Sequence, residues 1–362
     1  MKCYAYNPNV FKTVQGADWD CWRAIYQFVP DGVQVIDRTG YIKTPVHSTC
    51  ASTMTIPEYD PDFNLSYQES CFAKVRKIVR DSESYGVPIR LMYSGGIDSS
   101  MVLASFISYL GVDETARRVE IAMSHEGIQE NPWMWERFIR PYFKVVDSEK
   151  FSGELKKTHI IVGGECNDQV MGTDLYKGMI AWRGAEILDT PYSEATTLGY
   201  LEFRKLRKDH AQRWYELLQS NVDRAPCSIE TTAEWWWWLN FTCKWSHCYY
   251  RMAYFASNTT QFDADYFDTY YQQFFNAPEI QKWAMKDRTH KHKGDFTSYK
   301  WHAREIIADT MNAPEYLYKS KHPSLGQVAR FTRSADLIAE DYSLQYNINP
   351  VDYYNPENSF VV

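Results

Sequence analysis

The residues best suited to chemistry form one short run, Ser94-Gly95-Gly96-Ile97-Asp98-Ser99. Small residues let the backbone close around an anion, and N–H groups at a helix start face it. Gly95 and Gly96 can adopt the angles of a tight turn. Ser94 and Ser99 add hydroxyl donors, and Asp98 is placed to hold Mg2+ beside a phosphate. The run lacks the lysine and the spacing of the G-x-x-x-x-G-K-[ST] nucleotide loop, so a different phosphate cradle is implied. The plainer alternative is a glycine turn with no ligand.

Such a cradle needs a buried strand leading in and a helix leading out. The apolar run Ile89 to Tyr93 reads as the strand, and Met101 to Leu110, closed by Gly111, as the helix. Upstream, Leu65, Phe72, Val75, Ile78 and Val79 recur at helical spacing until Gly86-Val87-Pro88 ends the pattern. Downstream, Val119–Met123, Phe143–Val146 and His159–Val162 read as further strands, with a Trp-rich helical stretch from Pro132 to Tyr142. This alternation predicts an α/β class with a doubly wound, mostly parallel sheet. Ligands in such sheets bind at the carboxyl ends of strands, where Ser94-Gly95-Gly96 and Gly163-Gly164 both fall. From about Ser193 the pattern is mostly helical, with helices predicted over 198–218, 232–255, 263–275 and 299–311.

The run at 94–99 resembles the SGGxDS loop of the ATP pyrophosphatase (PP-loop) superfamily. Its members cleave ATP between the α- and β-phosphates, pass AMP to a substrate oxygen and release pyrophosphate. A second segment, Gly163-Gly164-Glu165-Cys166-Asn167-Asp168-Gln169-Val170-Met171-Gly172, resembles the G-E-G-x-D-E-x-x-x-G segment in the synthetase domain of asparagine synthetases. Tyr299 to Glu305 and Pro314 to His322 resemble that family's late K-x-x-x-R helix and R-x-K segment. Arg251 and Phe262-Asp263 match its R…PF-D segment weakly. The resemblance covers about Phe63 to Leu325. It implies an adenine nucleotide alpha-hydrolase-like fold in a synthetase domain over 63–362, with a helical C-terminal half.

What the resemblance implies about chemistry can be written residue by residue. ATP would rest on Ser94, Gly95, Gly96, Asp98, Ser99, Met123, Gly164 and Lys319, with Mg2+ between Asp98 and Asp168. Glu165 would accept a proton from the attacking amine, and Lys321 would draw away the pyrophosphate. The partners implied are a small-molecule carboxylate, aspartate or similar, and ammonia or a primary amine. A glutamate at 165 favours intermolecular amidation over the ring closure of β-lactam synthetases. Two departures, Cys166 for a glycine and Gln169 for an acidic residue, bear on substrate identity.

Residues 1–62 read as a strand-rich extension and linker, with a hairpin over 24–37 around Pro30-Asp31-Gly32. The hairpin is similar to the one that closes the glutaminase half of asparagine synthetases. A glutaminase needs an N-terminal cysteine nucleophile, and Cys3 follows Met1-Lys2. The extension is therefore expected to be at most a remnant, with ammonia taken free or from a separate glutaminase.

Composition excludes several classes. A net charge of −7 argues against nucleic acid and anionic membranes as partners. No apolar run approaches transmembrane length, and no signal peptide opens the chain, which points to the cytoplasm. Eight scattered cysteines show no disulfide framework, and the spacing of Cys227, Cys243, His247 and Cys248 favours packing over zinc. His290, His292 and His302 read as structural or solvated. Trp235-Trp236-Trp237-Trp238 would point all round a helix and reads as core or interface packing rather than a platform for bases. Two other functions stay open at this point: adenylation of a nucleobase carbonyl, and a non-catalytic nucleotide-binding protein.

Overall fold

The computed structural model describes residues 36–42, 55–148, 157–246, 248, 266–287, 293–294 and 300–319, with short strands at 4–5, 337–338 and 344–345. Helix α1 (Tyr67–Tyr85) starts at a capping box. The Ser66 hydroxyl accepts from Glu69 N–H, and the Glu69 carboxylate accepts from Ser66 N–H at 2.8 Å. This pairing satisfies two backbone donors at once, and Gly86 in the left-handed region ends the helix. Strand β1 (Ile89–Met92) follows at once, and then helix α2 (Ile97–Leu110). Residues 99–107 of α2 are all buried, so this helix is packed on every side.

Strands β2 (Val119–Met123), β3 (Val145–Asp147), β4 (Ile160–Gly163) and β5 (Tyr271–Gln273) complete a five-stranded sheet in the order β3-β2-β1-β4-β5. Every pairing in it is parallel. Leu91 stands in register with Ile121 on one side and Val162 on the other, and all three are fully buried. Burying each such side chain contributes about 1.5–3 kcal/mol. The chain leaves β1 toward β2 and β3, then returns to place β4 on the opposite side of β1. The winding direction therefore reverses between β1 and β4, the position at whose carboxyl ends ligands of such sheets bind.

The second half is helical: α3 (Glu194–Phe203), α4 (Lys208–Val222), α5 (Thr232–Leu239), α6 (Pro278–Lys286) and α7 (Trp301–Met311). Helix α7 packs on α2, and α6 on α1. All four tryptophans of α5 are buried, against Trp214, Tyr215, Tyr200 and Phe241 among others. Cys227, Cys243 and Cys248 are buried in the same hydrophobic cluster. Residues 36–42 dock on this half, with Ile36 N–H and Arg38 N–H donating to the carbonyls of Cys243 and Thr242 at 3.0 Å. The Arg38 guanidinium lies over the rings of Trp245 and Phe241. Among the described residues no helix is long and apolar enough to cross a membrane.

Three expectations need correction. The helix predicted over 198–218 is two helices, because Lys205 takes a left-handed φ of 70° and Leu206 N–H turns back to the carbonyl of Leu201. The helix predicted over 263–275 is a π-helical turn at Tyr266–Tyr270 followed by β5, whose residues pair with Ile161–Gly163. Its Tyr-Gln-Gln sequence carries no strand pattern, and the pairing comes from a distant strand. The third strand is Val145–Asp147, one residue later than expected at its end. The predicted hairpin lies outside the described residues except for Ile36 and Asp37, as do Cys3, Arg251, Phe262-Asp263, His247, His290, His292 and Lys321.

One buried charge bears on stability. Lys74 of α1 is 6% exposed, and its ammonium donates to Gln272 Oε1 of β5 at 3.2 Å. Burial pushes its pKa down from 10.5 to about 7. Below about pH 7 the folded protein holds a buried charge that the unfolded chain solvates. Between pH 7 and 10.5 the folded state has lost that proton while the unfolded state keeps it, so stability rises with pH across this window. Lys74→Met should therefore stabilise the protein at pH 6 by about 1–3 kcal/mol, with a smaller gain at pH 9. Urea unfolding midpoints of the two proteins at both pH values check this.

Candidate active site

The loop after β1 is held by the sheet behind it and by its own hydroxyls. Tyr93 N–H still donates to Ala122 O at 2.8 Å, and Ser99 Oγ accepts from Ser94 N–H and donates to Gly96 O, each at 3.2 Å. Gly95 has φ +80°, and a Cβ there would lie 2.4 Å from Gly127 O and 2.8 Å from Glu130 Cβ. Only glycine meets both constraints. Helix α2 begins at Ile97 without a side-chain cap from Gly96, and Asp98 lies in its first turn. A negative group is favoured at that end of the helix dipole.

The segment after β4 lies directly against this loop. A Cβ on Gly164 would be 3.2 Å from Ser99 N and 3.3 Å from Asp98 C. Gln273, at the end of β5, packs over Gly163, and its Oε1 accepts from Glu165 N–H at 3.1 Å. Glu165 is thus oriented through its backbone and is half-buried. Cys166 has φ 75°, the left-handed region that favours glycine, and opens the short helix Asn167–Met171. Asn167 Nδ2 donates to Asp98 Oδ1 at 2.9 Å, and Tyr67 OH donates to Asn167 Oδ1 at 3.0 Å. Burial, with Asp98 among the lesser causes, holds the Tyr67 phenol well above its usual range.

Asp98 and Asp168 meet at a cation that is the chain's own. Lys300 Nζ lies 2.5 and 2.7 Å from the two carboxylate oxygens of Asp98 and 2.8 Å from Asp168 Oδ1. Lys300 is 1% exposed, while the Asp98 and Asp168 side chains are 26% and 29% exposed. The ammonium is therefore the floor of the site and the carboxylates its rim. Burial acts to lower the Lys300 pKa, but Asp168 and Asp98 outweigh it and hold the group above its ordinary value. Lys300 belongs to the K-x-x-x-R pattern in the sequence, yet spacing alone assigned it no place at the carboxylates. Its φ of 60° at the start of α7 turns the chain there.

The aromatic helix secures the other end of this arrangement. Trp237 Nε1 donates to Gln169 O at 2.9 Å, and Asn240 Nδ2 donates to the carbonyls of Gly172 at 2.7 Å and Asp168 at 3.2 Å. The Gln169 and Gly172 carbonyls gain a donor in this way, and the Asp168 carbonyl, which already accepts from Gly172 N–H, gains a second. Arg304 is buried and donates to the carbonyls of Tyr316, Leu317 and Lys319, so it ties the turn Pro314–Tyr318 to α7. Lys319 Nζ donates to Glu130 O at 3.0 Å, on the segment that touches Gly95. Burial lowers its pKa, opposed by Glu130 and aided by Arg304.

The structure thus brings together Ser94, Gly95, Gly96, Asp98, Ser99, Gly164, Asp168 and, through Glu130, Lys319. Glu165 follows Gly164 directly. Met123 is buried at the carboxyl end of β2. Sequence reasoning did not assign Lys300, Asn167, Tyr67 or Gln273 to the site; the last three have no motif to mark them. For Mg2+, the donor set is two carboxylates, oxygen ligands of the kind this ion takes together with water and phosphate oxygens. Among the described residues no cluster of three or more His, Cys, Asp or Glu suited to a metal occurs. The pair fits Mg2+ in kind, and a bound ion would share these oxygens with Lys300.

Comparison with protein-family models, with curated proteins and with solved structures finds no match to this chain.

The two loop glycines make opposite demands on substitution. Gly95→Ala should destabilise the protein by about 2 kcal/mol or more, since it combines a left-handed φ with a backbone clash. Gly96 has φ −73° and its nearest would-be contact is Ser94 Oγ at 3.5 Å, so Gly96→Ala should change stability by less than about 1 kcal/mol. Thermal melts of both variants check the contrast.

Proposed function

We propose that this chain is an ATP-dependent, AMP- and pyrophosphate-forming amide synthetase of the ATP pyrophosphatase type. The observation that carries the reading is the convergence of Asp98 and Asp168, from two different strand ends, on one cationic point beside a glycine loop. Phosphate binding at a helix start and divalent metal binding by paired carboxylates belong together in phosphoryl transfer. Two further features support the family resemblance. Cys166 stands where the family pattern has glycine and adopts the backbone that glycine would favour. The strand order β3-β2-β1-β4-β5, with the loop at the switch point, suits an adenine nucleotide alpha-hydrolase-like, doubly wound sheet. A cytoplasmic location belongs to the same proposal.

In this reading ATP lies with its adenine near Met123 and its phosphates on Ser94–Ser99. Mg2+, held by Asp98 and Asp168, would neutralise phosphate charge. A carboxylate oxygen of the acceptor attacks the α-phosphorus, and the bond to the β-phosphate breaks. Lys300 in the floor, with Lys319 and Lys321 from the late segment, supplies positive charge for the departing pyrophosphate. Ammonia or a primary amine then attacks the carbonyl carbon of the acyl-adenylate. Glu165 takes the surplus proton, and AMP leaves with the electrons of the broken C–O bond. Holding both reactants at one crevice accounts for a large part of the rate. Aspartate or a similar small carboxylate is the acceptor class.

A second reading draws on the same ion pair. Because Lys300 already neutralises one of the two carboxylate charges, the site would also serve a protein that binds nucleotide without turning it over. ATP–pyrophosphate exchange against a panel of amino acids, other carboxylates and nucleobases separates the readings. Exchange dependent on one carboxylate is expected, and Asp98→Asn or Asp168→Asn should lower it by about a hundredfold or more. Glu165→Gln should impair amide formation far more than exchange. ATP binding with no exchange under any mixture would instead establish the binding protein, and exchange with a nucleobase alone would redirect the acceptor assignment.

A further inference from the structure

The place expected for a metal, between Asp98 and Asp168, is taken by an amine of the protein itself. Lys300 Nζ is within 2.8 Å of oxygens on both carboxylates, and the side chain is 1% exposed. Asn167 adds a neutral donor to Asp98 at 2.9 Å. Lys300 therefore offsets one of the two carboxylate charges. A free divalent cation approaching the rim meets a buried positive charge a few ångströms behind the oxygens it would bind. At that range, even with an effective protein dielectric near 20, charge–charge repulsion opposes binding of the bare ion.

We propose that Lys300 is a resident counter-cation that suppresses binding of free divalent metal at Asp98 and Asp168, so that metal enters only with a polyphosphate able to take over the ammonium. The inference rests on the nucleotide-site reading for its biological purpose, but its physical core concerns the apoprotein. Lys300 is held for this role from both sides. Its backbone is left-handed, at φ 60°, and its residue caps α7, which packs along α2. The ammonium is therefore delivered to the first turn of α2 by packing, with no requirement for ligand. Removing it takes away the cation that both carboxylates share, which favours a metal ion in its place. With it, the loop is preassembled before ATP arrives. A triphosphate carries enough negative charge to accept the ammonium, and the carboxylate oxygens are then released toward the incoming metal. Lys300 is in this sense a specificity-determining residue, selecting the metal–nucleotide complex over the bare ion.

The test uses Mn2+ alone as the probe, without nucleotide, and follows the free-ion EPR signal during titration of the full-length protein. Wild type should bind Mn2+ weakly. Lys300→Met and Lys300→Gln should bind it at least about tenfold more tightly, and Asp168→Asn in the Lys300→Met background should remove that gain. Lys300→Arg keeps the charge and should stay at or below the wild-type affinity. Thermal melts provide a second readout: millimolar Mn2+ should raise the Tm of Lys300→Met and leave that of wild type unchanged. Neutral variants that bind Mn2+ no better than wild type overturn the proposal, and so does a Lys300→Met protein that stays unfolded with Mn2+ present. Failure of ATP–pyrophosphate exchange with every acceptor would leave these Mn2+ results standing. Successful exchange with unchanged Mn2+ affinities would remove only the resident-cation role.

Discussion

A lysine ammonium buried beneath two carboxylates sets the terms for most of this structure. Taking an ammonium out of water costs several kcal/mol unless charged partners surround it. Lys300 has such partners in Asp98 and Asp168, which reach it from elements far apart in the chain. Asp98 comes from the first turn of the helix after β1, Asp168 from the turn after β4, and Lys300 from the start of α7. Moving any one of them breaks a contact of this ion-paired triad. The ion pair therefore fixes the relative placement of the glycine loop, the second glycine segment and the late helix.

Positive-φ backbone occurs at the same place. Gly95, Cys166 and Lys300 all have positive φ, and the last two are side chains for which this costs about 1–2 kcal/mol each. Packing compensates. Cys166 is buried beside Trp245, and Lys300 is held by its carboxylates. The four-tryptophan helix, whose sequence alone suggests only bulk, has a defined task through Trp237 and Asn240, which bind the carbonyls around Asp168. Aromatic mass in the helical half thus positions the backbone of the segment that carries Asp168.

Legibility from sequence followed the range of the interactions. The helix after Phe63 was readable from its apolar spacing, whereas the reciprocal capping boxes at Ser66 and Thr231 that start α1 and α5 are visible only in the structure. The strand, glycine turn and helix around Ser94–Ser99 were readable because apolar runs and glycines report local conformation. The fifth strand was not, since Tyr271-Gln272-Gln273 is a strand only by pairing with Ile161–Gly163. The break between α3 and α4 was hidden for a related reason: Lys205 in a left-handed conformation has no residue signature. Around the two glycine segments, the residues named from sequence were those with a motif, whereas Gln273, Asn167 and Tyr67 act through contacts that no spacing encodes.

What the sequence determined by itself was a set of local geometries: a tight glycine turn at Gly95-Gly96 between a strand and a helix, a second glycine turn bearing Glu165 and Asp168, and a late helix over about 299–311. Each follows from short-range sterics and hydrogen bonding that a few neighbouring residues control. Tertiary structure alone decided that these three meet, and that the cation between the two carboxylates is Lys300. The reason is that the meeting depends on a parallel sheet that reverses its winding direction between β1 and β4, and on α7 packing along α2. Those are balances of burial and charge over the whole chain, and no single stretch of it contains them.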